Sequence, residues 1–238
     1  IIIYINNNFK VKYMSLLTDR KFRSARQWSN MELRKFSKNL KGKVVNVSAW
    51  KDMDKEGSYY KEYFTSAEEY FITNWKDNAK GFQGNSKNEY FLNLEDDHMP
   101  SELLNKFDVV FNHTTLEHVF EIDNAFKNLC LLSKDMVITV VPFLQEQHID
   151  TGFQDYWRFT PQAIKKLYEK NNFELIYINF NDQKKSSIYV FGIGVKNKDK
   201  FQWVEKNSDN KLKDVDKIEI GKLHFKNSIF YKLLYKFK

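Results

Sequence analysis

The sequence predicts an α/β fold with a mostly parallel sheet, and residues 107–143 give the main reason. Short apolar runs rich in Val and Ile lie at 109–111 and 136–141, as expected for strands buried on both faces. Between them, apolar residues recur at helical spacing, namely Ile122, Ala125, Phe126, Leu129 and Leu132. A strand, an amphipathic helix and a second strand in this order form a right-handed βαβ unit.

The same patterns place the remaining elements. Residues 43–47, 70–74 and 89–92 are predicted to be the first three strands, and 173–180 and 188–195 an antiparallel hairpin that ends the sheet. Apolar spacing predicts a short helix over 29–40, with Gly42 near its C-cap. Thr160 and Pro161 are expected to cap and begin another helix.

A polar segment follows the strand at 109–111 and includes Leu116, Glu117 and His118. It lies at the carboxyl end of that strand, where open α/β sheets bind ligands. Here the chain resembles class I S-adenosylmethionine (SAM)-dependent methyltransferases of the type with Leu-Glu-His after the fourth strand. The resemblance covers roughly 42–195. It implies a Rossmann-like, seven-stranded, mostly parallel sheet with helices on both faces, and SAM as the cofactor.

The resemblance also implies cofactor-binding positions at the ends of the first four strands. They are Asn46, Ser48, Ala49, Trp50, Asn74, Asn93, Leu94, Glu95, Asn112 and His113. The turn formed by residues 93–96 is equally consistent with a solvated acidic turn.

Two of these positions depart from the family's pattern. Ser48 and Ala49 replace glycines that let the backbone approach the ligand, and Asn74 replaces an acidic residue that takes both ribose hydroxyls. Asp52 or Asp54 is expected to assist at the ribose. The departures also allow an alternative, a degenerate domain that has lost donor binding and serves as an interaction domain.

The loop at 142–161, PFLQEQHIDTGFQDYWRFTP, mixes aromatic and charged residues as pockets for polar, ring-shaped substrates do. Its Asp-Tyr-Trp-Arg-Phe-Thr-Pro run resembles a motif of methyltransferases that accompany glycan synthesis. That resemblance implies a small polar acceptor such as a sugar of a surface glycan. The candidate catalytic residues are His148, His118, Asp155, Tyr156 and Arg158.

The roles of these candidates follow from their chemistry. Imidazole titrates near neutrality, so His148 and His118 are the candidate general bases, which Asp155 could orient or replace. A structural alternative stays open: His118 braces the helix start, and Arg158 pairs with Asp155 or Glu117 to fix the loop.

Charge divides the chain into three parts. Residues 1–41 carry 10 Lys/Arg against 2 Asp/Glu, residues 42–195 carry 16 against 23, and residues 196–238 carry 12 against 6. We therefore predict a basic N-terminal arm and helix, an acidic methyltransferase-like domain and a basic C-terminal extension. An acidic centre repels phosphate, so a nucleic-acid substrate is not expected.

The remaining features concern location and partners. No metal-ligand spacing occurs, and the single Cys130 lies on an apolar helix face, as a buried thiol in a reducing cytoplasm would. At 225–237, apolar residues share one helical face flanked by lysines. This segment is expected either to contact a membrane surface or a protein, or to fold back on its own domain.

Overall fold

A computed structural model describes residues 23–75, 88–150, 152–183 and 186–222 of the 238-residue chain. Its sheet has seven strands in the order β3-β2-β1-β4-β5-β7-β6. The strands are β1 (Gly42–Val47), β2 (Ala67–Asn74), β3 (Glu89–Phe91), β4 (Phe107–His113), β5 (Ser133–Leu144), β6 (Glu174–Phe180) and β7 (Ile188–Val195). Neighbours among β1 to β5 pair in parallel, whereas β7 runs antiparallel to both β5 and β6. The predicted fold class is confirmed.

Helices cover both faces of the sheet. They are α1 (Arg23–Ser37), α2 (Ile122–Leu132), α3 (Pro161–Lys170) and the single turn α4 (Gln202–Glu205). On one face, Phe126 and Leu129 of α2 and Ile164 of α3 join a buried apolar cluster. On the other face, Leu33 and Phe36 of α1 join a second cluster. Strands β4 and β5 lie between these two apolar layers, which explains their continuous Val and Ile runs.

The strand register brings the polar strand ends to one edge of the sheet. Val47 at the end of β1 pairs with Asn112 near the end of β4, and His113 pairs with Val140 of β5. Because parallel strands end at the same edge, the loops after β1, β4 and β5 meet there.

Two helix ends test the capping predictions. Thr160 caps α3, since its Oγ1 accepts a 3.1 Å hydrogen bond from the Ala163 N–H. Helix α1, in contrast, ends at Ser37, and Gly42 is the first residue of β1 rather than a helix cap. Gly42 has φ +79°, and a Cβ on it would lie 2.4 Å from Asp108 Oδ2. The glycine is therefore required by a close approach of β1 to β4.

The described parts of the two basic flanks pack on the domain. Ala25 of α1, Val204 of α4 and Val215 are buried. The Lys211 N–H donates to Ile178 O of β6 at 2.9 Å, and Asn210 Nδ2 donates to Ile176 O at 2.7 Å. The amphipathic segment at 225–237 lies outside the described residues. None of the helices in the described ranges has the length and apolar character needed to span a membrane.

Candidate active site

The loop after β1 adopts a backbone that normally selects glycine. Ser48, Trp50 and Asp52 have φ values of +57°, +52° and +57°. Such left-handed conformations cost a residue with a Cβ on the order of 1 kcal/mol. The chain therefore keeps the glycine-type backbone at positions 48 and 50 without having glycine at either.

Hydrogen bonds to the end of β2 hold this loop in place. The N–H groups of Ser48 and Ala49 donate to Thr73 Oγ1 and Thr73 O at 3.0 and 2.9 Å. The Trp50 N–H donates to Asn74 Oδ1 at 2.8 Å, and Asn74 Nδ2 donates to Trp50 O at 3.3 Å. Asn74, predicted to bind ribose, is thus buried and clamps the loop with its side-chain amide.

The two carboxylates expected to assist Asn74 are also bonded within the protein. Asp52 accepts hydrogen bonds from Asn46 Nδ2 at 2.8 Å and Tyr70 Oη at 2.7 Å. Burial raises the Asp52 pKa, and these hydrogen bonds oppose the rise. Asp54 Oδ1 accepts from three consecutive backbone N–H groups at 56–58, and Tyr63 Oη donates to its Oδ2. Asn46 and both aspartates therefore stabilise the loop itself.

The turn after β3 is joined to the start of α2. Glu95 Oε1 accepts from the N–H groups of Phe120 and Glu121 at 2.9 and 3.2 Å. Asn93 Oδ1 accepts from the Glu95 N–H, and the buried Leu94 offers its carbonyl oxygen to Asn128 Nδ2. These three predicted cofactor residues thus have a clear structural role.

The end of β4 is covered by α1. His113 is buried, with Nε2 2.8 Å from Ser29 Oγ and Nδ1 3.3 Å from an Arg26 guanidinium nitrogen. Because guanidinium only donates, Nδ1 accepts and Nε2 carries the proton. Burial, followed by the charge of Arg26, holds the pKa of His113 well below its usual value, so the ring is neutral.

The predicted catalytic loop forms a compact ionic group. Arg158 donates two hydrogen bonds to the carboxylate of Asp155, at 2.6 and 2.7 Å. Burial alone would raise the Asp155 pKa, but the guanidinium lowers it. Asp155 Oδ2 also accepts from the His148 N–H at 2.8 Å and lies 3.5 Å from His148 Nδ1. The His148 ring packs edge-on against that of His118, with centroids 4.7 Å apart.

Four of the five candidate catalytic residues are therefore neighbours. They are His118, His148, Asp155 and Arg158. The Tyr156 ring instead packs on Phe120 with centroids 5.3 Å apart, and it is 47% exposed at the rim. Burial lowers the pKa of both histidines, that of His118 to about 4.

Glu117 also belongs to this group, although the sequence offered it only as an alternative ion-pair partner of Arg158, which instead pairs with Asp155. Its side chain is fully buried, and neither carboxyl oxygen has a hydrogen-bond partner among the described residues. Burial raises the pKa of Glu117 to about 8, against smaller opposing effects that include the charges of Arg26 and Arg158. The raised pKa favours the protonated carboxyl group at neutral pH, and its Oε1 lies 3.7 Å from His118 Nε2.

Other buried polar atoms near the ends of β4 and β5 also lack partners within the described ranges. They are Arg26 Nε, Asn112 Oδ1 and Gln145 Oε1. Asn112 uses only its Nδ2, which donates to Val47 O at 3.0 Å. No group of three or more His, Cys, Asp or Glu side chains in the described part of the chain could hold a metal ion.

Comparisons with known proteins agree with this architecture. No family model and no curated protein matches the chain. Among solved structures, an SAM-dependent methyltransferase from Mesorhizobium loti has a TM-score of 0.52 at 9% identity, covering 73% of this chain and 99% of that one. Magnesium protoporphyrin IX methyltransferase from Synechocystis PCC 6803 with bound S-adenosylhomocysteine (SAH) has a TM-score of 0.51 at 14% identity, covering 82% and 97%.

A chain from the Haloferax volcanii complex of the Trm112 methyltransferase activator with a methyltransferase gives a TM-score of 0.54 at 9% identity. It covers 75% of this chain and 92% of that one. The likeness confirms that the chain has the class I SAM-dependent methyltransferase fold. At these identities it carries no information about the acceptor.

Proposed function

We propose that this chain is an SAM-dependent methyltransferase that acts on a small polar acceptor, such as a sugar of a surface glycan. The observation that carries the proposal is the set of buried, unpartnered polar atoms at the ends of β4 and β5, namely those of Arg26, Asn112, Glu117 and Gln145. A buried polar atom without a partner costs about 1–3 kcal/mol. A bound polar ligand at this edge of the sheet would recover that free energy.

The residues at the end of β4 fit the amino-acid end of SAM. Asn112 Oδ1 offers a buried acceptor for an ammonium group, and Arg26 Nε offers a donor for a carboxylate. In this proposal the nucleoside lies at the ends of β1 and β2, beside the left-handed loop at 48–52. When bound, SAM supplies a methyl group activated by its sulfonium charge.

The protein's own contribution would be positioning, exclusion of water and proton transfer. The Asp155–Arg158 pair fixes the loop that carries His148, and Gln145 Nε2 lies 2.9 Å from His148 Nδ1. Aromatic rings at the rim, those of Phe120, Phe153, Tyr156 and Trp157, are 36–57% exposed and offer faces for an acceptor ring.

The loop after β1 favours a second candidate function. There the amide of Asn74 and the N–H groups of Ser48, Ala49 and Trp50 are all engaged within the protein. Groups used in this way are less available to a nucleoside. The alternative is a methyltransferase-like interaction domain that binds no donor.

Calorimetry with SAM and SAH separates the two functions. The proposal predicts one binding site per chain for each ligand, and weaker binding for adenosine alone because adenosine lacks the amino-acid end. Asn112→Leu should reduce SAH affinity at least tenfold, since one buried hydrogen bond to a charged group is worth about 1.5–3 kcal/mol. Asn39→Leu, a change at an exposed position in the turn after α1, is the matched control. Absence of heat with both ligands would leave only the interaction domain.

A cytoplasmic location, and peripheral contact with a membrane or a protein through the basic C-terminal segment, belong to the same proposal. The support is compositional, from the lysine-flanked apolar pattern at 225–237. Glycan precursors built at the cytoplasmic membrane face would be accessible to a protein held there.

A further inference from the structure

Glu117 and His118 form an incomplete hydrogen-bonding pair. Glu117 Oε1 and His118 Nε2 are 3.7 Å apart, beyond direct hydrogen-bond distance. Both Glu117 oxygens are buried and have no partner among the described residues. The His118 ring is held from its other side, because Nδ1 lies 2.6 Å from Gln154 O.

These contacts fix what each group can offer. A carbonyl oxygen only accepts, so His118 Nδ1 carries the ring proton and Nε2 presents a lone pair. A protonated Glu117 offers one O–H donor and a carbonyl acceptor. The complementary ligand atom is a hydroxyl oxygen, which donates its own hydrogen to Nε2 and accepts from the Glu117 O–H.

We propose that the methyl acceptor is a neutral hydroxyl group held between the Glu117 carboxyl group and His118 Nε2, and that His118 receives its proton. This inference rests on the proposed methyltransferase function. In the step, an O–C bond forms while the methyl C–S bond breaks, the C–S electron pair stays on sulfur, and the hydroxyl proton moves to Nε2. Both residues would touch the acceptor and are catalytic in this sense.

The charges around Glu117 favour a neutral acceptor over an ammonium group. Arg26 on α1 and Arg158 on the loop are cationic, Asp155 is the anionic partner of Arg158, and His148 is the adjoining imidazole. With Asp155 and Arg158 paired, Arg26 leaves a net positive charge near the carboxyl group. A second cation would be repelled there.

The pair also predicts a pH dependence of turnover. Above pH 8, ionised Glu117 would stabilise the imidazolium that forms on His118 and would stop donating to the acceptor oxygen. The kcat value should therefore rise with pH through about 8. Glu117→Gln cannot ionise, so its kcat at pH 9 should be at least about tenfold lower than that of the wild type.

Nuclear magnetic resonance on the full chain without ligands tests the pair directly. We expect one glutamate carboxyl carbon to titrate near pH 8, and this resonance should be absent from Glu117→Gln but present in the surface control Glu102→Gln. Glutamine has the shape of a protonated glutamate, so the variant should fold. The His118 ring nitrogens should show the proton on Nδ1 between pH 6 and 8. Titration of Glu117 near 4, or a proton on His118 Nε2, overturns the proposal.

Turnover supplies the second readout. With SAM as donor, we would compare a set of neutral methyl hexopyranosides with the matching amino sugars. Methylation of hydroxyl groups supports the proposal, and methylation confined to amino groups overturns it. For an active hydroxyl acceptor, Glu117→Gln should keep KM within about threefold and lose the rise of kcat above pH 8. If neither set is methylated, the titration alone decides. Absence of SAM binding would count against the methyltransferase function. It would not count against a protonated Glu117 beside a His118 ring that carries its proton on Nδ1.

Discussion

At the scale of single residues, Ser48 and Trp50 keep a left-handed loop conformation that usually requires glycine. Each has a left-handed backbone that glycine adopts without a steric penalty. The N–H groups of Ser48 and Trp50 donate hydrogen bonds to Thr73 Oγ1 and Asn74 Oδ1, and these bonds supply the compensation. A search for glycines therefore misses this loop, although the backbone conformation associated with glycine is present.

Substitution of Trp50 tests this interpretation. Trp50→Gly should be more stable than Trp50→Ala by about 1 kcal/mol, because both remove the ring and only glycine removes the left-handed strain. The measurement is the free energy of unfolding in urea. Equal stabilities would show that the loop does not hold position 50 at positive φ in solution.

The raised pKa of Glu117 should make the free energy of unfolding fall as pH rises, whereas an ordinary paired carboxylate makes it rise. Its folded-state pKa is raised to about 8, so between about pH 4.5 and 8 the folded protein keeps a proton that the unfolded chain releases. Stability contributed by this residue is present below pH 4.5 and falls as pH rises, by up to about 1.4 kcal/mol per pH unit.

Glu117→Gln removes that titration. The variant should match the wild type near pH 5 and become progressively more stable than it up to pH 8, when Tm is followed by calorimetry. His118 has a lowered pKa, so it contributes in the opposite direction at acidic pH, but it is common to both proteins. A difference in Tm that stays constant from pH 5 to 8 contradicts the burial of a protonated Glu117.

At the scale of elements, α1 performs two tasks with different turns. Its first turns bring Arg26 and Ser29 to the end of β4 at His113, and its later turns bury Leu33 and Phe36 on the sheet. The same helix therefore covers the end of β4 and packs on the sheet face beside β6 and β7.

Packing of α3 on β7 depends on a missing side chain. A Cβ on Gly194 would lie 2.2 Å from the Tyr168 ring, which is fixed by a 3.0 Å hydrogen bond from its Oη to Val137 O. Gly194→Ala should destabilise the protein by about 1–3 kcal/mol, the usual range for overpacking. Gly152→Ala is the control, since a Cβ there meets nothing within 4 Å. Equal urea midpoints for the two variants would contradict the packing.

The elements themselves were predictable from the sequence, because strand and helix periodicities are local. Val109 and Val110 identify β4, and Thr160 identifies the start of α3. The contacts that build the site are not local: Arg26 meets His113 across 87 residues, and His118 meets Gln154 across 36. The spacing of residues along the chain contains no signal for such pairs. Glu117 lay in the Leu-Glu-His motif that the sequence singled out, but its burial depends on the loop after β5.

At the scale of the whole molecule, folding brings the charged parts of the sequence together. Lysines of the basic flanks pair with acidic residues, as in Lys198–Glu174 and Lys200–Asp135 at 2.8 and 2.9 Å. Each exposed pair is worth only about 0–1 kcal/mol. They show that the described flanking segments belong to the folded unit, which the change in composition at residues 41 and 196 did not reveal.

The general outline of the molecule was also available from the sequence. The strand sequence, the hairpin and the ligand-binding edge follow from hydrophobic pattern and from the rule for parallel sheets. The conformation of the loop after β1 could not be predicted from the sequence. It depends on the exact approach of β2, where Asn74 is hydrogen-bonded to Trp50. We predict that a nucleoside occupies this edge of the sheet.

A crystal structure of the protein grown with SAH tests this most directly. We expect density for the ligand across the ends of β1, β2 and β4, with its ammonium group at Asn112 Oδ1 and its carboxylate at Arg26. Data from crystals at saturating SAH that show no ligand there, with Trp50 and Asn74 still joined by their two hydrogen bonds, would contradict donor binding and leave the fold without the proposed reaction.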